Sequence, residues 1–277
     1  DAQESRGLGE VYKRQGFSMR MMKKVLGTVT VLALSVSLLA GCGSTAVSPV
    51  SSTASTAAES TTSSVVSETT SAAADENAAA AAQLLNDLTG SYQELWPVIL
   101  ADEYQQTWLD DCTALVGEEN AEAAFEKLSS MVTGDVYGED AVEAYANGGG
   151  AYFCGFTNDL ATLTFDGETS TISGTDKDGN VLFSHTYHYI GMEPVHGLYE
   201  FESDDADSGE FTYFFLAPDT SAETYHIEFR YGSDAEALSQ YDAGEYAYWV
   251  ASGISTDCDQ TMIDNCIELF CTENLAG

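Results

Sequence analysis

The sequence predicts an α+β domain, mainly β, built as an antiparallel up-and-down barrel with N-terminal and C-terminal helices. Two observations predict it. From residue 152 onward, short runs rich in Thr, Tyr, Phe and Ile follow one another, each alternating or wholly apolar. Before and after this region, apolar residues recur instead at steps of three to four, which is the period of an amphipathic helix.

Turn signals such as Asp166-Gly167 and Asp207-Ser208-Gly209 separate the predicted strands. Successive short strands at this spacing favour pairing of each strand with the next, as in an up-and-down sheet or barrel. The predicted strands are Ala161–Phe165, Thr169–Ser173, Val181–Ile190, Leu198–Glu202, Phe211–Ala217 and Tyr225–Tyr231.

The helical predictions flank these strands. Apolar residues from Leu84 to Ile99 predict a helical segment around Gly90, and the pattern continues to Leu115. Residues 120–131 form an amphipathic pattern with Asn120 as its candidate N-cap. Residues 257–273 predict a closing helix, whereas residues 135–145 are ambiguous.

The N-terminal region has the layout of an exported lipoprotein. Residues 1–15 resemble a read-through of a sequencing adaptor and are excluded from the fold, and residues 16–41 form a predicted signal peptide. Its apolar run, Val25–Ala40, is shorter than the roughly 20 residues of a membrane span. Leu39-Ala40-Gly41-Cys42 matches a lipobox, which makes Cys42 the predicted lipid anchor at the extracytoplasmic face of a bacterial membrane. The alternative is an uncleaved anchor with an incidental cysteine.

Residues 42–82 are rich in Ser, Thr and Ala, have no aromatic residue, and predict a disordered tether whose alanine-rich end could begin a helix. The folded domain is predicted to span 83–277. Beyond Cys42 the chain has three basic and 42 acidic residues, a net charge of −39. Such a surface repels nucleic acid and anionic lipid and attracts cations diffusely.

Five cysteines follow the anchor, and an oxidising location permits disulfides between them. The number is odd, no CxxC occurs, and spacing alone does not fix the pairing. These residues are Cys112, Cys154, Cys258, Cys266 and Cys271.

Three segments resemble the ZinT family of extracytoplasmic zinc-binding proteins, over roughly residue 84 to the end. Leu88-Thr89-Gly90-Ser91-Tyr92-Gln93-Glu94-Leu95-Trp96-Pro97 is similar to the opening motif of the family. Leu198-Tyr199-Glu200-Phe201-Glu202 is similar to its R-Y-L-F-E strand. The segment from His226 to Asp234 is similar to H-F-H-I-x-x-G-x-D. The resemblance implies a calycin-like (lipocalin-like) barrel with helices.

The resemblance also implies a metal site made by three histidines, two of them in H-x-H. His226 matches the first of that pair, Glu228 stands at the second position, and Phe214 stands at the third site. The resemblance therefore carries over one imidazole and one carboxylate, placed on the inner face of the barrel.

Strand geometry suggests how other histidines could rebuild this site. Residues two apart on a strand share a face, so His226 and Glu228 point the same way. In an up-and-down sheet His196, His188 and His226 would approach one rim, whereas His185 would point away from His188. Imidazoles and a carboxylate suit Zn²⁺ and tolerate other divalent transition metals. The alternative for His188 and His196 is that each is an ordinary loop or sheet histidine. The alternative for His226 and Glu228 is a buried polar pair or a charge partner for Arg230.

No catalytic signature is present, so an enzyme is not predicted. The predicted function is binding of a divalent transition metal, with Zn²⁺ as tentative cofactor, for buffering or for delivery to a metal ABC transporter. The alternative is a calycin-like lipoprotein that has lost the metal and binds a small ligand or serves as a structural module. The aromatic group Tyr241, Tyr246, Tyr248 and Trp249 is interpreted as packing rather than a sugar platform.

Overall fold

A computed structural model describes residues 76–146, 150–218 and 226–276. The predicted leader, signal peptide, Cys42 anchor and most of the tether lie outside the described residues. Eight strands form a closed antiparallel barrel in which each strand pairs with the next and the last pairs with the first. The strands are β1 Gly90–Glu94, β2 Thr162–Asp166, β3 Thr171–Thr175, β4 Val181–Met192, β5 Tyr199–Ser203, β6 Tyr213–Leu216, β7 His226–Gly232 and β8 Ala251–Ser255.

The up-and-down barrel predicted from the sequence is confirmed, but two of its strands are not among those predicted. The segment around Gly90 was predicted to be helical, which is wrong: the helix before it stops, and β1 begins at Gly90, whose φ is 146°. β8 has the sequence ASGIS, which carries little strand propensity. Small residues suit that strand, because a Cβ on Gly253 would lie 3.1 Å from the Ile227 side chain.

Helices cover one side of the barrel. The closing helix is confirmed, and it packs on the helices Gln105–Val116 and Leu95–Ile99. An aromatic cluster forms this contact, in which the ring centroid of Phe270 is 5.9 Å from that of Trp108 and 4.8 Å from that of Trp96. Among the described helices none is long and apolar enough to cross a bilayer. They are α1 (76–87), α2 Leu95–Ile99, α3 Gln105–Val116, α4 Glu118–Val132, α5 Glu139–Ala146, α6 Ala235–Leu238 and α7 Gln260–Leu275.

The N-cap predicted at Asn120 is wrong. Helix α4 begins two residues earlier, at Glu118, after Gly117, whose φ of 87° turns the chain between α3 and α4. The Asn120 side chain instead donates from Nδ2 to the carbonyl of Val116 at 3.0 Å. It therefore ties the start of α4 to the end of α3.

The barrel lumen is filled by side chains. Residues paired across adjacent strands share a face, and the inward set from the strand registers is dominated by buried aromatic rings. Phe214 lies among them, with its ring centroid 5.3 Å from that of Tyr231 and 5.4 Å from that of Tyr187. Trp249, at 5.0 Å from Tyr231, adds to this packing, as the sequence interpretation expected for its aromatic segment.

Candidate functional site

A polar stripe runs along β7, where His226, Glu228 and Arg230 alternate with Ile227, Phe229 and Tyr231. All six residues are buried. The apolar residues belong to the lumen, since Phe229 and Tyr231 contact the lumen residue Phe214. The polar stripe therefore lies on the outer face of the barrel, beneath the segments that cover it. The expectation that His226 and Glu228 face inward is wrong, because the alternating rings of this strand occupy the interior.

Glu228 lies in the layer between the barrel and its helical cover. Its register partner on β8 is the fully buried Ser252, whose N–H donates to the carbonyl of Cys154 at 3.0 Å. Burial raises the pKa of the Cys266 thiol, on α7, to about 12, and the negative charge of Glu228 contributes. Burial and then Glu228 also raise the pKa of Cys154. Two thiols thus border this carboxylate, and no sequence motif indicated them.

His226 begins β7 at one end of the barrel and is only 3 % exposed. Burial lowers the pKa of its imidazole to about 4, so the ring is neutral at physiological pH. A neutral imidazole keeps a lone pair for a metal ion, and a neighbouring carboxylate is a compatible second donor. His226 and Glu228 are therefore chemically suited as two donors to one cation.

His196 lies in the turn between β4 and β5, on the same end of the barrel as His226. It is buried, its Nδ1 is 3.5 Å from Glu193 Oε2, and its ring centroid is 3.9 Å from that of Tyr241. Burial alone would raise the pKa of Glu193, but bonds from the His196 side chain and from the backbone N–H groups of His196 and Val195 lower it overall. The structure gives His196 a local carboxylate partner. The two residues are three positions apart in the turn Glu193-Pro194-Val195-His196, which brings their side chains together.

His188 lies at the opposite end, so its predicted approach to the rim of His226 is wrong. It pairs with Glu202, which aligns through Tyr213 with Gly232, six residues or about 20 Å along β7 from His226. The side chain of His188 is 52 % exposed, and its Nδ1 lies 2.7 Å from Asp204 Oδ1. The sequence placed His188 too close to the end of its strand, because β4 extends four residues beyond His188 before the chain turns. His185 faces the other way and contacts Asp205 at 2.7 Å.

Phe214, at the position of the third family histidine, is fully buried in the lumen. It therefore lies on the face opposite to that of His226. Across the described ranges, no group of three or more His, Cys, Asp or Glu side chains is arranged to hold a metal ion. The residues present fit two donors of a zinc site, and the described side chains do not add a third.

A cleft of about 330 Å³ opens beside the covering helices, between α2, the end of α4 and residues 153–155. Its lining is mainly apolar, with the Glu94 carboxylate at one side. Trp96 lines it too, and the Nε1 of this residue is buried near the Cys154 thiol. Glu94 Oε1 accepts a hydrogen bond from Phe156 N at 2.6 Å. A cleft of this size and polarity can hold a small ligand.

Comparison with known proteins finds no matching protein-family model and no matching curated protein. Several solved structures are similar, two of which are from Streptococcus pneumoniae. The Zn(II)-bound ZinT-like domain of Streptococcus pneumoniae AdcA shares 16 % identity over 66 % of this chain and 89 % of that chain, with a TM-score of 0.42. Zn(II)-bound AdcA from Streptococcus pneumoniae shares 15 % identity over 66 % of this chain and 34 % of that chain, with a TM-score of 0.39. The first of them is described as a ZinT-like domain, and ZinT is the family that the sequence motifs resemble.

Proposed function

We propose that this chain is an extracytoplasmic lipoprotein, anchored through Cys42, whose barrel domain binds a divalent transition metal, Zn²⁺ above all. Its role is to buffer the metal or to pass it to a transporter in the membrane. The observation that carries the proposal is the pair His226 and Glu228. Both residues are buried, both lie on one face of β7, and the imidazole is neutral.

The donor chemistry supports zinc over calcium or magnesium. Neutral imidazole is a ligand for Zn²⁺ and related ions, whereas Ca²⁺ and Mg²⁺ take oxygen donors. Two protein donors leave the remaining coordination positions without a protein ligand, so we expect weaker binding than at a three-histidine site. Such an affinity suits a protein that releases its metal again. His188 is not a ligand in the proposed site, and His196 interacts with the Glu193 carboxylate instead.

Isothermal titration of the chelator-treated full chain with Zn²⁺ tests the proposal. We expect micromolar binding that is lost in His226→Ala and strongly weakened in Glu228→Gln. His188→Ala is the matched control, because it removes an exposed imidazole at the other end of the barrel, and it should bind like the parent. The proposal fails if the parent binds no Zn²⁺, or if His226→Ala binds as tightly as the parent.

A second candidate function, binding of a small ligand, is favoured by the cleft beside Trp96. The filled lumen leaves little room for a ligand inside the barrel, whereas this cleft offers an apolar wall and one carboxylate. Tryptophan fluorescence during a screen of small cationic amphiphiles, with Glu94→Gln as control, tests it. If neither zinc nor such ligands bind, the domain is a structural or interaction module of the cell surface.

A further inference from the structure

Two cysteines far apart in sequence meet in the helical layer. Cys112 on α3 and Cys271 on α7 are both fully buried, and their sulfur atoms are 3.9 Å apart. The aromatic pair Trp108 and Phe270 packs beside them, with ring centroids 5.9 Å apart. The contact therefore lies within the main interface between the two helices and not at a loose surface.

We propose that Cys112 and Cys271 form a disulfide that joins α3 to α7 once the exported chain folds. The two sulfur atoms are in van der Waals contact, and a bond of about 2.05 Å needs only a small approach of each side chain. The proposal depends on the extracytoplasmic location proposed above for its oxidant, but the geometry of the pair does not.

The bond forms by two thiol–disulfide exchange steps with a disulfide of low molecular weight or of an oxidoreductase. The Cys112 thiolate attacks a sulfur of that disulfide, forming a mixed disulfide and releasing one thiolate. The Cys271 thiolate then attacks the Cys112 sulfur and releases the second. Two cysteine thiols are thereby oxidised to one disulfide, the oxidant is reduced to two thiols, and the two protons pass from the protein to the leaving thiolates.

Burial decides when this exchange takes place. It raises the pKa of Cys112, and burial and then the neighbouring Cys112 raise the pKa of Cys271. Because the thiolate is the nucleophile, the folded reduced protein reacts slowly, and exchange belongs to the stage before α7 closes over α3. The finished bond is shielded from reductants by the same packing.

The two cysteines are 159 positions apart, and the closed loop contains seven of the eight strands, β2 to β8. In the chain-entropy model a loop of that length gives a disulfide a large stabilising effect, because it restricts the unfolded chain most. The disulfide would thus hold the N-terminal helices and the C-terminal helix together around the barrel. Cys154, Cys258 and Cys266 remain as thiols in this scheme.

Refolding tests the pair independently of export. The full chain carrying Cys42→Ser is unfolded in reductant, refolded in a mixture of oxidised and reduced glutathione, alkylated, and cleaved with pepsin without reduction. Before alkylation and cleavage, we expect an intact mass lower than that of the fully reduced protein by about 2 Da, from the loss of two hydrogen atoms. We also expect one linked peptide pair, joining the segments of Cys112 and Cys271. Alkylation of both residues, or linkage of either to another cysteine, overturns the proposal.

Thermal unfolding supplies a second readout. Reduction of the oxidised protein should lower Tm by roughly 5–15 °C, and the double variant Cys112→Ala/Cys271→Ala should not respond to reductant. Cys258→Ala, which leaves the pair intact, is the control and should respond like the parent. An equal Tm for the oxidised and reduced parent would contradict the proposal. Failure of export alone would leave the refolding result unchanged, so the two proposals fail separately.

Discussion

The guanidinium carbon of Arg230 lies 4.2 Å from the centre of the Tyr241 ring, beneath the segment that joins β7 to β8. The same guanidinium donates hydrogen bonds to the carbonyls of Leu238, Gln240 and Tyr246. Arg230 is fully buried, and the chain beyond Cys42 contains no other arginine. It therefore satisfies three backbone acceptors of the covering segment, which would otherwise be buried without partners.

Replacing Arg230 should unfold the cover as well as destabilise the barrel. Arg230→Ala leaves buried carbonyls without donors, and we expect a loss of roughly 3–5 kcal/mol in the free energy of unfolding. Urea denaturation measures the loss, and amide hydrogen exchange should show residues 234–247 opening first. Lys177→Ala is the control. Lys177 forms an ion pair with Asp178, and the two side chains are 82 % and 66 % exposed, so the free energy of unfolding should hardly change. An Arg230→Ala midpoint equal to that of Lys177→Ala would refute this role.

Alternating patterns identified most of the barrel, because each predicted strand has one face in the lumen and one on the outside. β1 and β8 escaped prediction for different physical reasons. β1 is five residues long between two helices, so its apolar residues also fit a helical period. β8 is composed of small residues because neighbouring strands and α2 leave little space around it.

The candidate site was less predictable, because both faces of β7 are buried. In such a strand the position of a side chain depends on what covers the outside, which local sequence does not specify. The strict alternation of polar residues with Ile227, Phe229 and Tyr231 points to the aromatic face as the lumen face. The family resemblance suggested the opposite. Glu228 lies near Cys154 and Cys266, which belong to segments far apart in the chain, so no local sequence motif predicts this arrangement.

The buried imidazole of His226 should make stability depend on pH. Its pKa is lowered from 6.5 to about 4, so between these values the unfolded chain binds more protons than the folded one. Stability should therefore fall as the pH decreases from about 6.5 to about 4 and change no further through this group at lower pH. The shift corresponds to about 3 kcal/mol.

Other carboxyl groups titrate in the same range, so the measurement is the difference between the parent and His226→Gln. Urea midpoints for both proteins at intervals from pH 7 to pH 4 give that difference. We expect the variant to lose less stability than the parent across this window, because its amide does not titrate. Parallel curves for the two proteins would show that the imidazole is not held neutral by the fold. His188→Gln, an exposed replacement, should track the parent throughout.

Asp111, on α3, should produce the opposite pH effect. Burial, and after it the carboxylates of Glu268, Asp264 and Asp110, raise its pKa to about 6. A folded-state pKa above the unfolded value of 3.8 means that this residue stabilises the fold as the pH falls from about 6 toward 4. Asp111→Asn should therefore raise the urea midpoint at pH 7, and the gain should shrink through that window. The exposed Asp242→Asn should give no comparable gain, and a pH-independent effect of Asp111→Asn would contradict the assignment.

The filled lumen can be tested by emptying it. Phe214 is fully buried among rings on neighbouring strands, so Phe214→Ala should cost roughly 3–5 kcal/mol and leave an apolar cavity. Such a cavity stays dry and binds small apolar molecules, so benzene should raise the Tm of the variant but not that of the parent. The neighbouring Tyr213→Ala removes a half-buried ring on the outer face and should cost less, with no response to benzene. A benzene response in the parent would mean that the barrel already holds a vacant ligand chamber, which would move the small-ligand function from the cleft beside Trp96 into the lumen.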